Sequence, residues 1–103
     1  MREEAILEGI EMALKNAEPK IKRVLMPSDN LVASKELLAD RIVRKIKIIS
    51  LLYRADLLCD HGLHDKAHEV KKEQLEPLYA QNGLYEQAFA TYMEIKHELL
   101  ENL

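Results

Sequence analysis

Residues 48–58 have the sequence IISLLYRADLL, and their residue types favour a helix. Such a helix carries apolar residues on both of its sides. One side carries Ile48, Leu51, Ala55 and Leu58, and the other side carries Ile49, Leu52, Tyr53 and Leu57. A helix that is apolar all round is covered on both sides. The pattern therefore predicts that residues 48–58 form either the central helix of a bundle or part of a subunit interface.

The composition around this stretch is typical of a folded helical domain. The chain has 103 residues, of which 48% are apolar and 32% charged, with only three glycines and three prolines. Long unbranched side chains lose little freedom in a helix, so the abundance of Leu, Glu and Lys favours an all-α fold. A chain of this length is expected to form one domain, residues 1–103, with a modest core.

Apolar periodicity predicts two helices in the first half of the chain. The first helix is expected to end before Pro27 and to kink near Lys15–Pro19, because Pro19 removes a backbone hydrogen bond. Its apolar stripe consists of Ile6, Ile10, Ala13, Ala17, Ile21 and Val24. The second helix is expected from about Leu31 to Asp60, with Gly62 as the residue that ends it.

Two further helices are predicted in the second half. The third, from about His64 to Ala80, is expected to be kinked or divided by Pro77. Its inner face is predicted to carry Ala67, Val70, Gln74 and Leu78. The fourth follows the turn Gln81-Asn82-Gly83 and is expected from Leu84 to about Asn102. Its apolar side consists of Leu84, Ala88, Tyr92, Ile95 and Leu99, widened by Phe89, Met93 and Leu100.

These helices predict an all-α fold, either a four-helix bundle or an array of helical hairpins with a long second helix. Within it, residues 75–95 (LEPLYAQNGLYEQAFATYMEI) resemble one tetratricopeptide hairpin. The matching positions are Leu75 and Tyr79 in the first helix, Gly83 and Tyr85 at the turn, and Ala88 and Tyr92 in the second helix. Glu76 departs from the pattern, because a small residue usually follows the leading Leu. The resemblance implies a surface that binds peptides or partner proteins, without catalysis.

A second turn, marked by Gly62, echoes the same pattern. Gly62 and Gly83 are 21 residues apart, whereas tetratricopeptide repeats recur about every 34 residues. Two overlapping repeats therefore do not fit this chain, and the resemblance is confined to one hairpin.

The segment from Cys59 to His68 holds the only cysteine and three of the four histidines. His64 and His68 are four residues apart, so both can point from one helix face, a spacing that metal sites use. The simpler interpretation is that polar residues gather at helix ends and turns. Asp65 fits this interpretation, because a negative charge near the start of a helix is stabilised by the helix dipole. A lone cysteine after Leu57-Leu58 is usually a small core residue.

The charge pattern makes nucleic acid an unexpected partner. The net charge is −3, and the basic stretch Arg41–Lys47 has no interleaved aromatic residues. Three scattered glycines form no phosphate-binding loop, so no cofactor is expected. The start of the chain, Met1–Glu4, lacks the apolar core of a signal peptide. No apolar run in the sequence is long enough to span a membrane. A single cysteine cannot form an internal disulfide, so we expect the protein in a reducing cytoplasm.

These observations lead to two hypotheses about function. The first is a non-enzymatic module that self-associates or binds a partner protein through exposed apolar residues. The candidate interface residues are Ile48, Leu51, Leu58, Tyr85, Phe89 and Met93, with Tyr79 and Leu100 at the edge. The alternative is a small metal-binding helical protein that uses His64 and His68.

Overall fold

The computed structural model describes the backbone of residues 2–25 and 35–101 and the side chains of 2–25 and 40–101. These ranges contain four α-helices and no strand, which confirms the all-α fold. The helices are α1 (Glu3–Leu25), α2 (Lys35–Asp60), α3 (His64–Glu69) and α4 (Leu84–Glu101). A π-helical segment, Val70–Leu75, and a 3₁₀ turn, Glu76–Leu78, connect α3 towards α4. The predicted start of the second helix at Leu31 lies outside the described residues.

Helix α2 is the centre of the fold, because it contacts α1, α3, the π-helical segment and α4. Apolar residues on both sides of its segment 48–58 are therefore covered from within one chain. Ile48, Leu51 and Leu58 are at most 7% exposed, so the expectation that they form an intermolecular interface is wrong. The central-helix alternative for residues 48–58 is the one observed.

Helix α1 packs most of its predicted stripe against this centre, but Val24 is 47% exposed, so its predicted place in the stripe is wrong. The buried residues are Ile10, Ala13, Leu14, Ala17 and Ile21. The helix continues through Pro19 to Leu25, and its predicted end before Pro27 lies outside the described residues. On its outer side, the Arg54 guanidinium donates two hydrogen bonds, of 2.5 and 3.3 Å, to the Glu11 carboxylate and so connects α2 to α1.

The turn after α2 is a helix-ending motif built on Gly62. Gly62 has φ of +78°, a conformation that glycine adopts without steric strain. The Gly62 N–H donates to the carbonyl of Cys59 at 3.0 Å, and the Leu63 N–H donates to the carbonyl of Leu58 at 2.8 Å. This pair of bonds is the Schellman motif, and Leu63 packs on the core as the motif requires.

The third predicted helix is not a continuous α-helix, because regular α structure ends at Glu69 and gives way to the π-helical segment. A π-helix bonds residue i to i+5, which places residues five apart on one face. Val70 and Leu75 are accordingly both buried, whereas Gln74, the predicted inner residue, is exposed. Pro77 has no N–H to continue the α ladder, and it lies in the 3₁₀ turn that ends this segment.

Helix α4 follows a tight turn and buries the side that the sequence predicts. Asn82 and Gly83 both have positive φ, and the Leu84 N–H donates to the Gln81 carbonyl at 2.7 Å. The buried residues of α4 are Leu84, Ala88, Tyr92, Ile95 and Leu99. The molecule is elongated, with extents of 50 × 28 × 20 Å.

Candidate functional site

A groove runs along α4 beside α2 and the π-helical segment, and we call it the aromatic groove. Its volume is about 350 Å³. Leu52, Ala55 and Leu75 lie at its base and come from the two elements beside α4. One wall is formed by Tyr79, Tyr85, Phe89 and Met93, and Asp56, Lys71 and Lys96 supply the charged groups. The groove is thus an apolar channel with a short charged border.

The aromatic wall is a contiguous and exposed surface. Tyr79 and Tyr85 make an edge-on contact with ring centroids 4.6 Å apart, and Tyr85 stacks on Phe89 with centroids 6.3 Å apart. Tyr79, Phe89 and Met93 remain 48%, 43% and 49% exposed, while Tyr85 is half-buried. Burial, and then the neighbouring Tyr79, raise the pKa of the Tyr85 hydroxyl. The wall is therefore an uncharged surface made mostly of aromatic rings.

The charged border centres on Asp56, a carboxylate of α2. The Tyr92 hydroxyl donates a hydrogen bond of 2.5 Å to Asp56 Oδ2, and Lys96 Nζ lies 3.3 Å from the same oxygen. Burial raises the pKa of Tyr92 strongly, and the hydrogen bond to Asp56 adds to this effect. The phenol therefore stays protonated at neutral pH, as a donor that holds α4 to α2.

A second phenol holds the same pair of helices from within the core. The Tyr53 hydroxyl donates to the backbone carbonyl of Leu99 at 3.0 Å and so connects α2 to α4. Its ring lies 6.5 Å from the ring of Tyr92, and burial raises its pKa. The two tyrosines thus position the α4 side chains that form the groove.

The structure places His64 and His68 on the six-residue helix α3, and both side chains are exposed. No group of three or more His, Cys, Asp or Glu residues suited to a metal occurs in the part of the chain that the structure describes. Cys59 is half-buried and packs against the core. The predicted histidine pair therefore gains no third ligand from Cys59, Asp60 or His61 among the described residues.

The basic stretch of α2 forms part of a different surface. Arg44 pairs with Asp40 one turn earlier at 3.1 Å, and Arg41 and Lys47 are exposed. Arg41 and Arg44 line a cavity of about 420 Å³ with the turn at Gln81 and Asn82. The Gln81 Oε1 atom is buried there without a hydrogen-bond donor among the described residues.

The six predicted interface residues thus divide into two groups. Tyr85, Phe89 and Met93 come together on the aromatic groove, whereas Ile48, Leu51 and Leu58 lie in the core. Sequence reasoning missed the charged border formed by Asp56, Lys71 and Lys96. The available signal was Asp56 itself, the one carboxylate among the mostly apolar residues 48–58.

Comparisons of the chain with protein families, with curated proteins and with solved structures found no match. The tetratricopeptide-like hairpin of residues 75–95 therefore stays a prediction. Among the described residues, no helix combines the length and the apolar character that crossing a membrane requires.

Proposed function

We propose that this chain is a non-enzymatic protein–protein interaction module and that the aromatic groove is its binding surface. The observation that carries the proposal is the continuous exposed row of Tyr79, Phe89 and Met93 beside an apolar groove. Tyrosine, phenylalanine and methionine are enriched at the centres of protein interfaces. Scattered single apolar residues on a surface need no explanation, whereas a grouped set beside a concavity does.

The chemistry of the groove supports binding rather than catalysis. A catalytic acid or nucleophile generally needs a pKa moved towards neutrality and a free position for substrate. In the groove, Asp56 is instead engaged by both Tyr92 and Lys96. The pKa values of Tyr85 and Tyr92 are raised, which moves them further from neutrality. These groups are suited to positioning side chains.

The test compares what the wild-type chain and a groove variant bind. The groove variant carries Phe89→Asp and Met93→Asp, two changes at exposed positions that leave the core intact. The control is Val43→Asp, which places one aspartate on α2 at a residue that is 63% exposed and does not line the groove. All three proteins are tagged and used for affinity capture from the native cell, with quantitative mass spectrometry and light scattering as readouts.

We expect to find proteins, which can include the chain itself, that bind the wild type and the control. The same proteins should not bind the groove variant. Equal association with all three proteins would rule out the groove as the binding surface. Circular dichroism and thermal unfolding of the three proteins check that any difference in binding does not arise from unfolding of a variant.

A further inference from the structure

The outer side of α1 carries a second exposed apolar surface, which we call the α1 patch. It consists of Leu7, Glu8, Glu11, Met12 and Lys15, around a shallow depression of about 450 Å³. Residues at spacings of three and four share one helix face, so these five form a single strip. Met12 is 60% exposed at the middle of the strip, and Leu7 is half-buried. A long flexible apolar side chain therefore projects from an acidic helix face.

The α1 patch presents a carboxylate, and the aromatic groove an ammonium group, that make no ion pair within the described residues of the chain. The patch is lined by Glu8, Glu11 and Lys15, and the groove is lined by Asp56, Lys71 and Lys96. Glu11 is engaged by Arg54, and Asp56 by Lys96. Within the described residues, Glu8 and Lys71 make no ion pair. Such complementary charges favour association and fix its orientation.

The two surfaces lie on opposite sides of α2. Arg54 reaches Glu11 of α1, whereas Leu52 and Asp56, two residues before and after it, line the groove. Two residues along an α-helix correspond to a rotation of about 200°. The α1 patch of one chain therefore cannot enter the groove of the same chain, but a second copy can present it.

We propose that the aromatic groove of one copy binds the α1 patch of a second copy, so that the chain associates head to tail. This inference rests on the proposed function, because it names the occupant of the same groove. Met12 and Leu7 of one copy contact the aromatic wall of the other, and Glu8 lies against Lys71. Pairing of groove with groove lacks this complementarity, because both surfaces present the ammonium group of Lys71. A head-to-tail contact generates rings or open filaments rather than a closed dimer.

The decisive experiment mixes two variants of the full chain, each of which has lost one of the two surfaces. Phe89→Asp removes the groove, and Met12→Asp removes the patch, in both cases at exposed positions. Sedimentation and light scattering then measure the mass of the wild type, of each variant alone and of an equimolar mixture. The Val43→Asp variant serves as the control for an added surface charge.

The expected result is a wild-type mass that rises with concentration beyond that of a dimer. Each variant alone associates at least about tenfold more weakly, the order of effect expected for loss of a central interface residue. The mixture forms a heterodimer, in which the intact patch of the Phe89→Asp variant binds the intact groove of the Met12→Asp variant. No larger species forms, because the other groove and the other patch in the pair have been removed.

A charge exchange gives an independent test that leaves every apolar side chain in place. Glu8→Lys alone and Lys71→Glu alone are each expected to weaken association, and a chain with both changes is expected to recover it. Both residues are exposed, so neither change disturbs the core.

Two outcomes would overturn the head-to-tail contact. A Met12→Asp variant that associates like the wild type would assign the groove to a different occupant, and the proposed function would stand. A wild type that stays monomeric at all concentrations would exclude a second copy as the occupant. The capture experiment with the groove variant would then decide separately whether the groove binds anything.

Discussion

Removing the Tyr92 hydroxyl tests whether the contact between α4 and α2 depends on the bond to Asp56. Tyr92→Phe keeps the buried ring and deletes the oxygen that donates to Asp56 Oδ2 at 2.5 Å. Because the ring stays, the packing of the core changes little, and the measured effect reports the hydrogen bond.

The expected loss of unfolding free energy depends on the charge and the exposure of the acceptor, Asp56. A hydrogen bond to a charged group contributes about 1.5–3 kcal/mol to stability. The Asp56 side chain is 31% exposed and keeps Lys96 at 3.3 Å, so water and the ammonium replace part of the lost bond. We therefore expect Tyr92→Phe to lower the free energy of unfolding by roughly 1–2 kcal/mol.

Urea unfolding followed by circular dichroism measures this change. With an m value of about 1.5 kcal/mol per molar for a chain of this size, the midpoint should fall by about 1 M while m stays constant. Tyr53→Phe is the matched control, because its hydroxyl donates to the neutral Leu99 carbonyl and should contribute only about 1 kcal/mol. A Tyr92→Phe protein as stable as the wild type would show that the hydrogen bond to Asp56 does not stabilise the fold.

Three further predictions use separate features of the fold. Because the folded-state pKa of Tyr92 is raised above 10.0, its contribution to stability is complete below that pH and declines above it. The advantage of the wild type over Tyr92→Phe should therefore shrink by about 1 kcal/mol between pH 10 and about pH 11, as urea titrations at both values would show. Gly62→Ala should lower the stability by about 1 kcal/mol because φ is +78°, whereas Gly9→Ala, in open space on α1, should raise it by about 0.5 kcal/mol. Thermal unfolding of the two alanine variants checks both signs. Excess zinc should shift the melting temperature of the wild type no more than that of the His64→Ala/His68→Ala variant, and a selective shift of the wild type would restore the metal hypothesis.

The helices and turns that the sequence predicts well are those that depend on local chemistry. The α4 side that carries Ala88, Tyr92 and Ile95 is buried as its spacing predicts. Gly62 and Gly83 adopt positive φ at the two turns where glycine was expected to reverse the chain. These signals lie within a few residues of the structure they specify, so no knowledge of the rest of the fold is needed.

The π-helical segment shows where a local pattern fails. Alpha-helical spacing from Ala67 and Val70 leads to Gln74, but the buried residue is Leu75. The apolar alternative lies only one position further along, and the choice between the two depends on which residue can contact the core. A helix widened by one residue per turn satisfies that contact, and Pro77 prevents the α ladder from continuing beyond it.

The candidate site was only half predictable for a related reason. Tyr85, Phe89 and Met93 share one side of a helix, so the sequence alone places them together. Asp56, Lys71 and Lys96 come from three different elements and meet only after those elements pack. Side chains on separate elements have no sequence spacing that reveals their proximity.

The amino-acid pattern of residues 48–58 is enough to predict a helix that is covered on both sides, because apolar residues lie on both sides of its axis. It left open whether a second molecule or the same chain provides that cover. The tertiary structure decided this, since α1, α3, the π-helical segment and α4 all pack on α2 and bury Ile48, Leu51 and Leu58. The free energy gained by burying apolar surface depends on which surfaces meet, and that is a property of the whole arrangement of helices. The same packing leaves Phe89 and Met93 of α4 uncovered, and so decides which apolar residues are available to a partner.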